Sequence, residues 1–281
     1  AGNPGAALNL DVVFPVLHGT LGEDGTIQGL LKLLDIPFVG AGVTGSVLGM
    51  DKDVMKRLLR ESQLSIADFI CVSVTERDTL SFEYMVKKLG RPVFIKPVNC
   101  GSSVGVSKAG DEKEFLEGVN EAFTYDNKII IEEAINGREI ECAVLGNSVL
   151  QASLPGEIIP RGDFYSYNAK YIDDNGAQLI IPADLPGDII KEIQECAVRA
   201  CQVLCCEGMA RVDLFLTKEN RIVVNEINTI PGFTAISMYP ALWEISGISY
   251  TDLITKLMDL AMERHRVEKQ IKTSFISTIL V

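Results

Sequence analysis

Residues 209–228 read Met209-Ala-Arg-Val-Asp-Leu-Phe-Leu-Thr-Lys-Glu-Asn-Arg-Ile-Val-Val-Asn-Glu-Ile-Asn228. The two halves of this stretch are rich in Val, Ile, Leu and Phe, and the polar run 218–221 joins them, which is typical of a β-hairpin. The stretch continues into Thr229-Ile-Pro-Gly-Phe-Thr234. A strand that ends in a polar cluster and a Pro-Gly turn is typical of a binding loop.

Four polar side chains of this hairpin share one face. A turn centred in the middle of the polar run places Asp213 opposite Glu226 and Arg211 opposite Asn228, because side chains alternate with a period of two. Opposed Cβ atoms lie roughly 4.5–5.5 Å apart, and two carboxylates at that distance repel unless a cation lies between them. The oxygen-rich set suits Mg²⁺ or Mn²⁺. The pattern alone leaves a solvent-exposed hairpin with mixed charges as an alternative.

Composition bounds the class of protein. The 281 residues suffice for two or three packed units, and the net charge of −12 argues against a general nucleic-acid or anionic-membrane surface. The seven cysteines have no paired metal-ligand spacing, which favours free thiols in a reducing compartment. Without a signal peptide or a membrane-length apolar run, we expect a soluble cytoplasmic protein that binds no nucleic acid and no membrane.

The N-terminal part reads as a lone β-α-β unit. We expect a buried strand over Leu10–Leu17, a Gly-rich loop at His18–Gly25, a helix over Thr26–Leu34 and a short strand over Ile36–Val39. A lone unit exposes sheet edges, so residues 1–50 resemble the second half of a domain whose first half is absent. The loop histidine is as compatible with a structural role as with a site.

Gly40-Ala-Gly-Val-Thr-Gly45 formally matches the dinucleotide fingerprint, with Glu61 at a suitable distance. No strand places Glu61 at its end, so a tight strand-to-helix turn explains the glycines better than nicotinamide binding.

The helix that follows Met50 has Asp51 as its N-cap and Val54, Leu58 and Leu59 as its buried stripe. Lys52 lies in its first turn, where the helix dipole disfavours a cation unless the lysine serves an anion.

A second lysine ends the strand Arg91–Lys96, and the loop Asn99–Gly105 supplies backbone N–H groups and hydroxyls. Such a loop can wrap phosphate oxygens. A flexible hairpin loop is the alternative.

A helix over Asp111–Phe123 is followed by strands over Lys128–Glu133 and Ile140–Leu145, with Ala134–Glu139 between the strands. Carboxylates on either side of this linker could hold an adenine edge and a ribose, although a plain domain linker is the commoner case. The polar, aromatic segment Ile158–Gly176 has little periodicity and is typical of a lid. We expect further helices over Pro186–Leu204 and Thr251–Arg266, and the last residues, 273–281, have no assignment.

Six ordered motifs together identify a family. They are His-Gly-Thr-Leu-Gly-Glu-Asp-Gly (18–25), Met-Asp-Lys (50–52), Phe-Ile-Lys-Pro (94–97) with Gly-Ser-Ser-Val-Gly (101–105), Tyr-Ser-Tyr-Asn-Ala-Lys-Tyr (165–171), Met-Ala-Arg-Val-Asp (209–213) and Asn-Glu-Ile-Asn-Thr-Ile-Pro-Gly-Phe-Thr (225–234). Over about residues 10–265 the chain resembles the D-alanine–D-alanine ligase family. The resemblance implies an α/β (α+β) ATP-grasp fold. In this fold ATP would lie between a central domain (51–136) and a C-terminal domain (137–272). A partial Rossmann-like domain (1–50) would precede these two domains, and a tail (273–281) would follow them.

The resemblance also implies binding residues for ATP and two Mg²⁺ or Mn²⁺ ions. The phosphates would contact Lys52 and Lys96 under a loop that contains Ser102 and Ser103. The other ATP contacts would be Glu132, Glu133 and Ile135 for adenine and Glu139 for ribose, with Phe164, Lys170 and Asn225 nearby. The metal ligands would be Asp213, Glu226 and Asn228.

The implied reaction joins two D-alanines through a D-alanyl phosphate. Arg211 and the Gly232 N–H would stabilise the tetrahedral intermediate. His18 and Glu23 would lie near the first D-alanine, and Ser237 and Met238 would face the carboxylate of the second. The segment with Phe164, Tyr165, Lys170 and Tyr171 would be the lid, and Tyr171 would pair with Ser102.

Within this family, Tyr171 together with Ser237-Met238 favours D-alanine as the acceptor. The resemblance also implies a homodimer, since the family is usually dimeric. The family's first β-α segment carries a glutamate that has no counterpart in residues 1–17. One alternative is therefore a truncated module that binds Mg-ATP without turnover. The others are a D-alanine–D-serine or D-lactate variant and another ATP-grasp carboxylate–amine ligase.

Overall fold

A computed structural model of the chain describes residues 10–160, 177–234 and 237–272. The helices in these ranges are α1 (Thr26–Leu33), α2 (Val43–Met50), α3 (Lys52–Glu61), α4 (Phe82–Leu89), α5 (Glu112–Tyr125), α6 (Gly187–Val203), α7 (Met238–Ile245) and α8 (Tyr250–Lys269), with a 3-10 helix at Val74–Thr79. The strands are β1 (Phe69–Ser73), β2 (Val93–Pro97), β3 (Ser107–Ala109), β4 (Lys128–Glu133), β5 (Gly137–Gly146), β6 (Gln151–Ala152), β7 (Gly156–Pro160), β8 (Ala177–Ile180), β9 (Gly208–Thr217) and β10 (Ile222–Asn228).

The smaller of two antiparallel sheets has the strand order β1-β4-β2-β3. One face packs on α4 and α5, where Phe115 meets Ile95 and Ile131 in a fully buried cluster. Because side chains alternate, Lys96 and Glu132 lie on the opposite face. The sheet therefore presents charged groups on the side that its helices leave uncovered.

The larger sheet has the order β10-β9-β5-β7-β8, with β6 paired to β5. The even-numbered β9 residues, such as Val212 and Leu214, pack with α3 and α6. On the other face Met209 is buried against α7 and α8. Arg211 and Asp213 continue that second face beyond the helices. Within five residues, this face of β9 thus changes from the buried core at Met209 to the polar side chains at Arg211 and Asp213.

The predicted hairpin is confirmed, and its register contains a bulge. Asp213 pairs with Glu226 and Arg211 with Asn228, as the sequence predicts. Between the turn and this site, however, the register is offset by one residue and shifts between Val224 and Glu226. The extra residue is Asn225. The bulge therefore restores the pairing that a simple centred turn would have produced.

The predicted N-terminal strands are wrong. Leu10–Leu17 and Ile36–Val39 form only a single parallel bridge, Val13 with Phe38. Leu17 is 50% exposed, so the first segment is also not buried. Pro15 and Pro37 lack the N–H groups that a continuous ladder needs. The helix between the segments, α1, is confirmed.

The other predicted helices and strands in the described ranges are confirmed within a few residues. Asp51 caps α3 by accepting a hydrogen bond from Val54 N at 2.9 Å. The predicted stripe of α3 needs correction, because Met55 and Lys56 are buried while Val54 and Leu58 are only half-buried. The start of the predicted lid is also corrected, since residues 158–160 belong to β7.

The division between the two sheets falls between Glu133 and Gly137, and the domain boundaries at 50/51 and 136/137 stay predictions. In the part of the chain that the structure describes, no helix is long and apolar enough to cross a membrane.

Candidate active site between the two sheets

A cavity of about 510 Å³ lies between the uncovered faces of the two sheets. Its lining includes most of the residues that the sequence assigns to ATP and metal: Lys52, Lys96, Ser103, Glu132, Glu133, Ile135, Glu139, Asp213, Asn225 and Glu226. Lys96 links the sheets across it, with Nζ 3.4 Å from Asn225 Oδ1. Groups that are far apart in sequence therefore meet in one polar cavity.

Lys52 reaches the phosphate-loop candidate from the first turn of α3. Its Nζ donates to the carbonyl oxygen of Cys100 at 2.6 Å, and the residue is 8% exposed. The helix dipole disfavours a cation at this position, and a bound anion would offset that cost.

The Glu132 carboxylate lies between two lysines. Lys56 Nζ is 3.0 Å from one oxygen and Lys96 Nζ is 2.7 Å from the other. Burial by itself would raise the pKa of this carboxyl, but the lysines outweigh it and hold the pKa at about 2. Although burial disfavours its charged form, Lys96 has a raised pKa because Glu132 is adjacent. Both groups therefore carry their charge at neutral pH.

The loop between β2 and β3 has an unusual backbone. Ser102 and Ser103 adopt φ of 56° and 59°, a left-handed conformation that side chains disfavour. Gly105 follows with φ of 67°, and a Cβ on it would lie 2.7 Å from the Tyr125 ring. Consecutive left-handed residues turn successive N–H groups in one direction, which makes an anion-binding concavity.

Arg211 lies at the end of the hairpin face between two carboxylates. Its guanidinium donates to both oxygens of Asp213 at 2.7 Å, and Nε lies 3.0 Å from Glu141 Oε2. Asn228 Nδ2 also donates to Asp213 at 3.0 Å. Burial opposes the charge on Arg211, but the two carboxylates raise its pKa further above the usual arginine value. Arg211 is thus a fixed cation beside the metal-ligand candidates.

The donor set at this end fits a hard divalent cation. Glu141, Asp213 and Glu226 are opposed in register across β5, β9 and β10. Their three negative charges exceed the single charge of Arg211, and carboxylate oxygens are the ligands that Mg²⁺ and Mn²⁺ prefer. Among the described residues, no group of three or more His, Cys, Asp or Glu has metal-binding geometry. A site would therefore also rely on amide oxygens or on the substrate.

The His18 loop docks on the chain just after β10. His18 Nδ1 lies 2.9 Å from the carbonyl oxygen of Ile230, which can only accept, so Nδ1 carries the proton. Glu23 accepts from the backbone N–H groups of Gly19 at 2.8 Å and Ile230 at 3.1 Å. Burial raises the pKa of Glu23 despite these hydrogen bonds. The loop thus lies beside the hairpin end, as a substrate-binding role requires.

Gly232, Ser237 and Met238 form the other side of this end. A Cβ on Gly232 would come within 2.9 Å of Ser237 Oγ, so the two residues are in close approach. Met238 as a whole residue is 6% exposed, and it belongs to the core beside Tyr239. If Met238 contacts a substrate, the contact would therefore be made by its backbone at the start of α7.

The lid candidates Phe164, Tyr165, Lys170 and Tyr171 lie outside the described residues. Four further residues lie in or behind the cavity and are not among the site residues predicted from the sequence: Lys56, Phe94, Glu141 and Phe215. Periodicity could have predicted these residues. Lys56 follows Lys52 by four residues on one helix, so the two lysines share a helix face. The other three lie two residues from a predicted site residue on the same strand face.

Comparison with known proteins agrees with this geometry. Residues 58–259 match the family model described as the D-ala D-ala ligase C-terminus, and residues 2–41 match the D-ala D-ala ligase N-terminus. The chain is 57% identical over 265 residues to a D-alanine–D-alanine ligase of Shouchella clausii, covering 94% of this chain and 72% of that protein. This chain belongs to the D-alanine–D-alanine ligase family.

Other members of the family extend the comparison. D-alanine–D-alanine ligase A of Escherichia coli K12 is 55% identical, with 94% of this chain and 73% of that protein covered. The D-alanine–D-alanine ligase structure from Coxiella burnetii superposes with a TM-score of 0.84 at 41% identity, over 95% of this chain and 73% of that one. The structure of the VanG D-Ala:D-Ser ligase of Enterococcus faecalis superposes with a TM-score of 0.83 at 38% sequence identity. The match covers 91% of this chain and 74% of that one. The chain is therefore an ATP-dependent ligase with the ATP-grasp fold.

Proposed function

We propose that the inter-sheet cavity binds ATP and that the end of the β9–β10 hairpin joins two D-alanine molecules into D-alanyl-D-alanine, for peptidoglycan precursors. One observation carries the proposal: a cavity containing Lys52 and Lys96 opens onto Asp213, which lies directly opposite Glu226. Cations for phosphates and carboxylates for a metal are what phosphoryl transfer requires.

ATP would lie with its adenine against residues 132–135 and its ribose at Glu139. Phe94 and Phe215, on opposite sheets, offer apolar walls for the base. The phosphates would lie between the two lysines under the Ser102–Ser103 loop, with Asn225 keeping Lys96 in place. Lys170 and Phe164 are the remaining ATP contacts in this proposal.

The reaction proceeds in two steps. The γ-phosphoryl group passes to the carboxylate of the first D-alanine, which lies near His18 and Glu23, and forms an acyl phosphate with release of ADP. The amine of the second D-alanine then attacks the acyl carbon, loses a proton and displaces inorganic phosphate. Arg211 and the backbone N–H of Gly232 stabilise the oxyanion of the tetrahedral intermediate.

Asp213, Glu226 and Asn228 would hold two Mg²⁺ or Mn²⁺ ions. Such ions neutralise charge on the phosphoryl oxygens and act as Lewis acids. The chain's own contribution is orientation: Arg211 and Asn228 fix the Asp213 carboxylate. An acyl phosphate also hydrolyses, so Tyr171 and its neighbours would close over the site, with Tyr171 paired to Ser102, and exclude water.

The acceptor distinguishes this proposal from its nearest rival. The similarity to a solved D-Ala:D-Ser ligase supports D-serine as a second candidate acceptor. Tyr171 with Ser237 and the Met238 backbone favours D-alanine. The test is D-alanine-dependent phosphate release from Mg-ATP with D-alanine, D-serine or D-lactate as acceptor, with products identified by mass. We expect D-alanyl-D-alanine as the main product, whereas a preference for D-serine would contradict the assignment, and ATP binding without turnover would reduce the chain to a binding module.

We also infer a cytoplasmic homodimer. All seven cysteines are free thiols, which agrees with a reducing compartment, and the dimer follows the family. Light scattering coupled to size exclusion tests the dimer directly.

A further inference from the structure

Lys56 is a buried lysine that the proposed mechanism does not use. It lies one helical turn after Lys52 on α3, and it is 1% exposed. Its Nζ lies 3.0 Å from Glu132 Oε1. The cavity lining includes Lys52 and Glu132 but not Lys56. Lys56 therefore contacts Glu132 from behind, on the side away from the cavity.

The same carboxylate also holds a cavity lysine. Lys96 Nζ lies 2.7 Å from Glu132 Oε2, and the Lys96 side chain is 15% exposed. Lys96 and Glu132 come from the neighbouring strands β2 and β4. The three groups thus form a row of charges, plus–minus–plus, with only Lys96 and Glu132 at the cavity.

The charges in this row do not cancel. Burial, together with the nearby Lys96 and Lys52, lowers the pKa of Lys56 below its ordinary value, although the Glu132 carboxylate opposes that shift and favours the ammonium form. With Lys56 neutralising Glu132, one positive charge remains at Lys96 for an anion in the cavity. If Lys56 were apolar, Glu132 and Lys96 would form a neutral pair in a poorly solvated place, and attraction for phosphate would fall.

We propose that Lys56 is a positioning residue for the nucleotide: it neutralises Glu132 from behind, so that the charge of Lys96 is available to the phosphates. This inference rests on the proposed ATP site. Lys96 would still hold Glu132 in place without Lys56, at 2.7 Å, so we expect the loss of Lys56 to affect the phosphates of a nucleotide and to change the adenine contacts of Glu132 little.

The chain offers a matched control in Lys128. This lysine lies on β4, four residues before Glu132, and pairs with Asp51 at 2.9 Å and Asp53 at 3.3 Å at the start of α3. It therefore ties the same helix to the same strand as Lys56 does, but it does not line the cavity. A purely structural effect of losing a lysine between α3 and β4 should appear in both variants.

The experiment measures the binding of ADP and adenosine to the full chain by calorimetry, with adenosine by competition where needed. For Lys56→Met we expect ADP binding to weaken about tenfold and adenosine binding to change less than about twofold. For Lys128→Met we expect both affinities to stay within about twofold of the parent. Equal losses for ADP and adenosine, or an unchanged ADP affinity in folded Lys56→Met, would overturn the proposal.

The double variant Lys56→Met/Glu132→Gln provides a test that does not depend on the single variant folding. It removes one positive and one negative charge and leaves Lys96 unneutralised. Because Glu132 also lies at the proposed adenine position, the readout is the ratio of ADP affinity to adenosine affinity, which should return to within about threefold of the parent ratio. A fall of about tenfold or more in this ratio in the double variant would contradict the charge argument. Failure of the parent itself to bind ADP would instead reject the proposed ATP site, so the two failures are distinguishable.

Discussion

Asp213 and Glu226 lie directly opposite each other because a bulge at Asn225 shifts the register of the β9–β10 hairpin by one residue. Continued without the bulge, the register near the turn would place Asn225 opposite Asp213 and turn Glu226 toward the core. The bulge also places Asn225 within 3.4 Å of Lys96 on the other sheet. One inserted residue thus both pairs the carboxylates and connects the two sides of the cavity.

Gly232→Ala should impair the acceptor site selectively. The new Cβ would lie 2.9 Å from Ser237 Oγ, which accepts a hydrogen bond from Thr234 N at 2.9 Å. Displacing Ser237 should raise KM for the second D-alanine about tenfold and leave KM for ATP within about twofold. Steady-state kinetics with each substrate varied checks this.

The matched control is Gly29→Ala on α1, where a Cβ meets nothing within 4 Å. It should change neither KM. An equal rise in both constants for Gly232→Ala would indicate general damage and not an acceptor site.

Gly105→Ala should weaken the use of ATP. Gly105 has φ of 67°, and a Cβ would approach the Tyr125 ring at 2.7 Å and Pro97 at 2.8 Å. The left-handed backbone alone costs an alanine about 1 kcal/mol, and the contacts add to it, so we expect KM for ATP to rise about tenfold. Gly187→Ala, with open space around the Cβ, serves as the control. An unchanged KM for ATP would show that the loop does not approach the phosphates.

Glu132 should make stability depend on acidic pH. Burial disfavours the charged form, but the two lysines outweigh it and lower the pKa of this carboxyl from 4.5 to about 2. The unfolded chain therefore takes up the proton first as the pH falls. The stabilisation, about 3 kcal/mol, is complete above pH 4.5 and is lost between pH 4.5 and about 2.

Glu132→Gln tests this dependence, with Glu117→Gln on the exposed face of α5 as the control. Urea unfolding at a series of pH values should show Glu132→Gln less stable than the parent at pH 7, because Lys56 and Lys96 lose their ion-pair partner. The difference should shrink as the pH falls through the window from 4.5 to about 2. A difference that stays constant with pH would mean that folding does not shift the pKa of this carboxyl, and it would contradict the ion pairs with the two lysines.

The hairpin shows how far a sequence can predict such a site. Alternation and the polar turn suffice to predict that Asp213 faces Glu226. The bulge does not follow from them, because it depends on where the turn closes. Thr217 N donates to the Arg221 carbonyl, and Asn220 adopts φ of 59°. The predicted turn centre, between residues 219 and 220, lies half a residue after the centre that the observed pairing gives. The bulge compensates for this difference.

Lys56 shows what periodicity leaves out. Its position fits the buried stripe of α3, but a lysine there is energetically acceptable only with a buried partner. That partner, Glu132, lies on a strand far along the chain, so the tertiary fold has to be known first. The N-terminal strands are wrongly predicted for a local reason. Apolar content favours a strand, but Pro15 and Pro37 limit the pairing to the single bridge between Val13 and Phe38.

D-alanine-dependent phosphate release from Mg-ATP, measured for the parent, Asp213→Asn and Asp259→Asn, decides whether the Asp213–Glu226 pair is the metal site of the ligase. Asp259 is exposed on α8 and carries the same substitution away from the cavity. We expect turnover in the parent and in Asp259→Asn, and a loss of at least about 100-fold in Asp213→Asn. Turnover in Asp213→Asn equal to that of the parent would contradict a metal-dependent ligase centred on the Asp213–Glu226 pair.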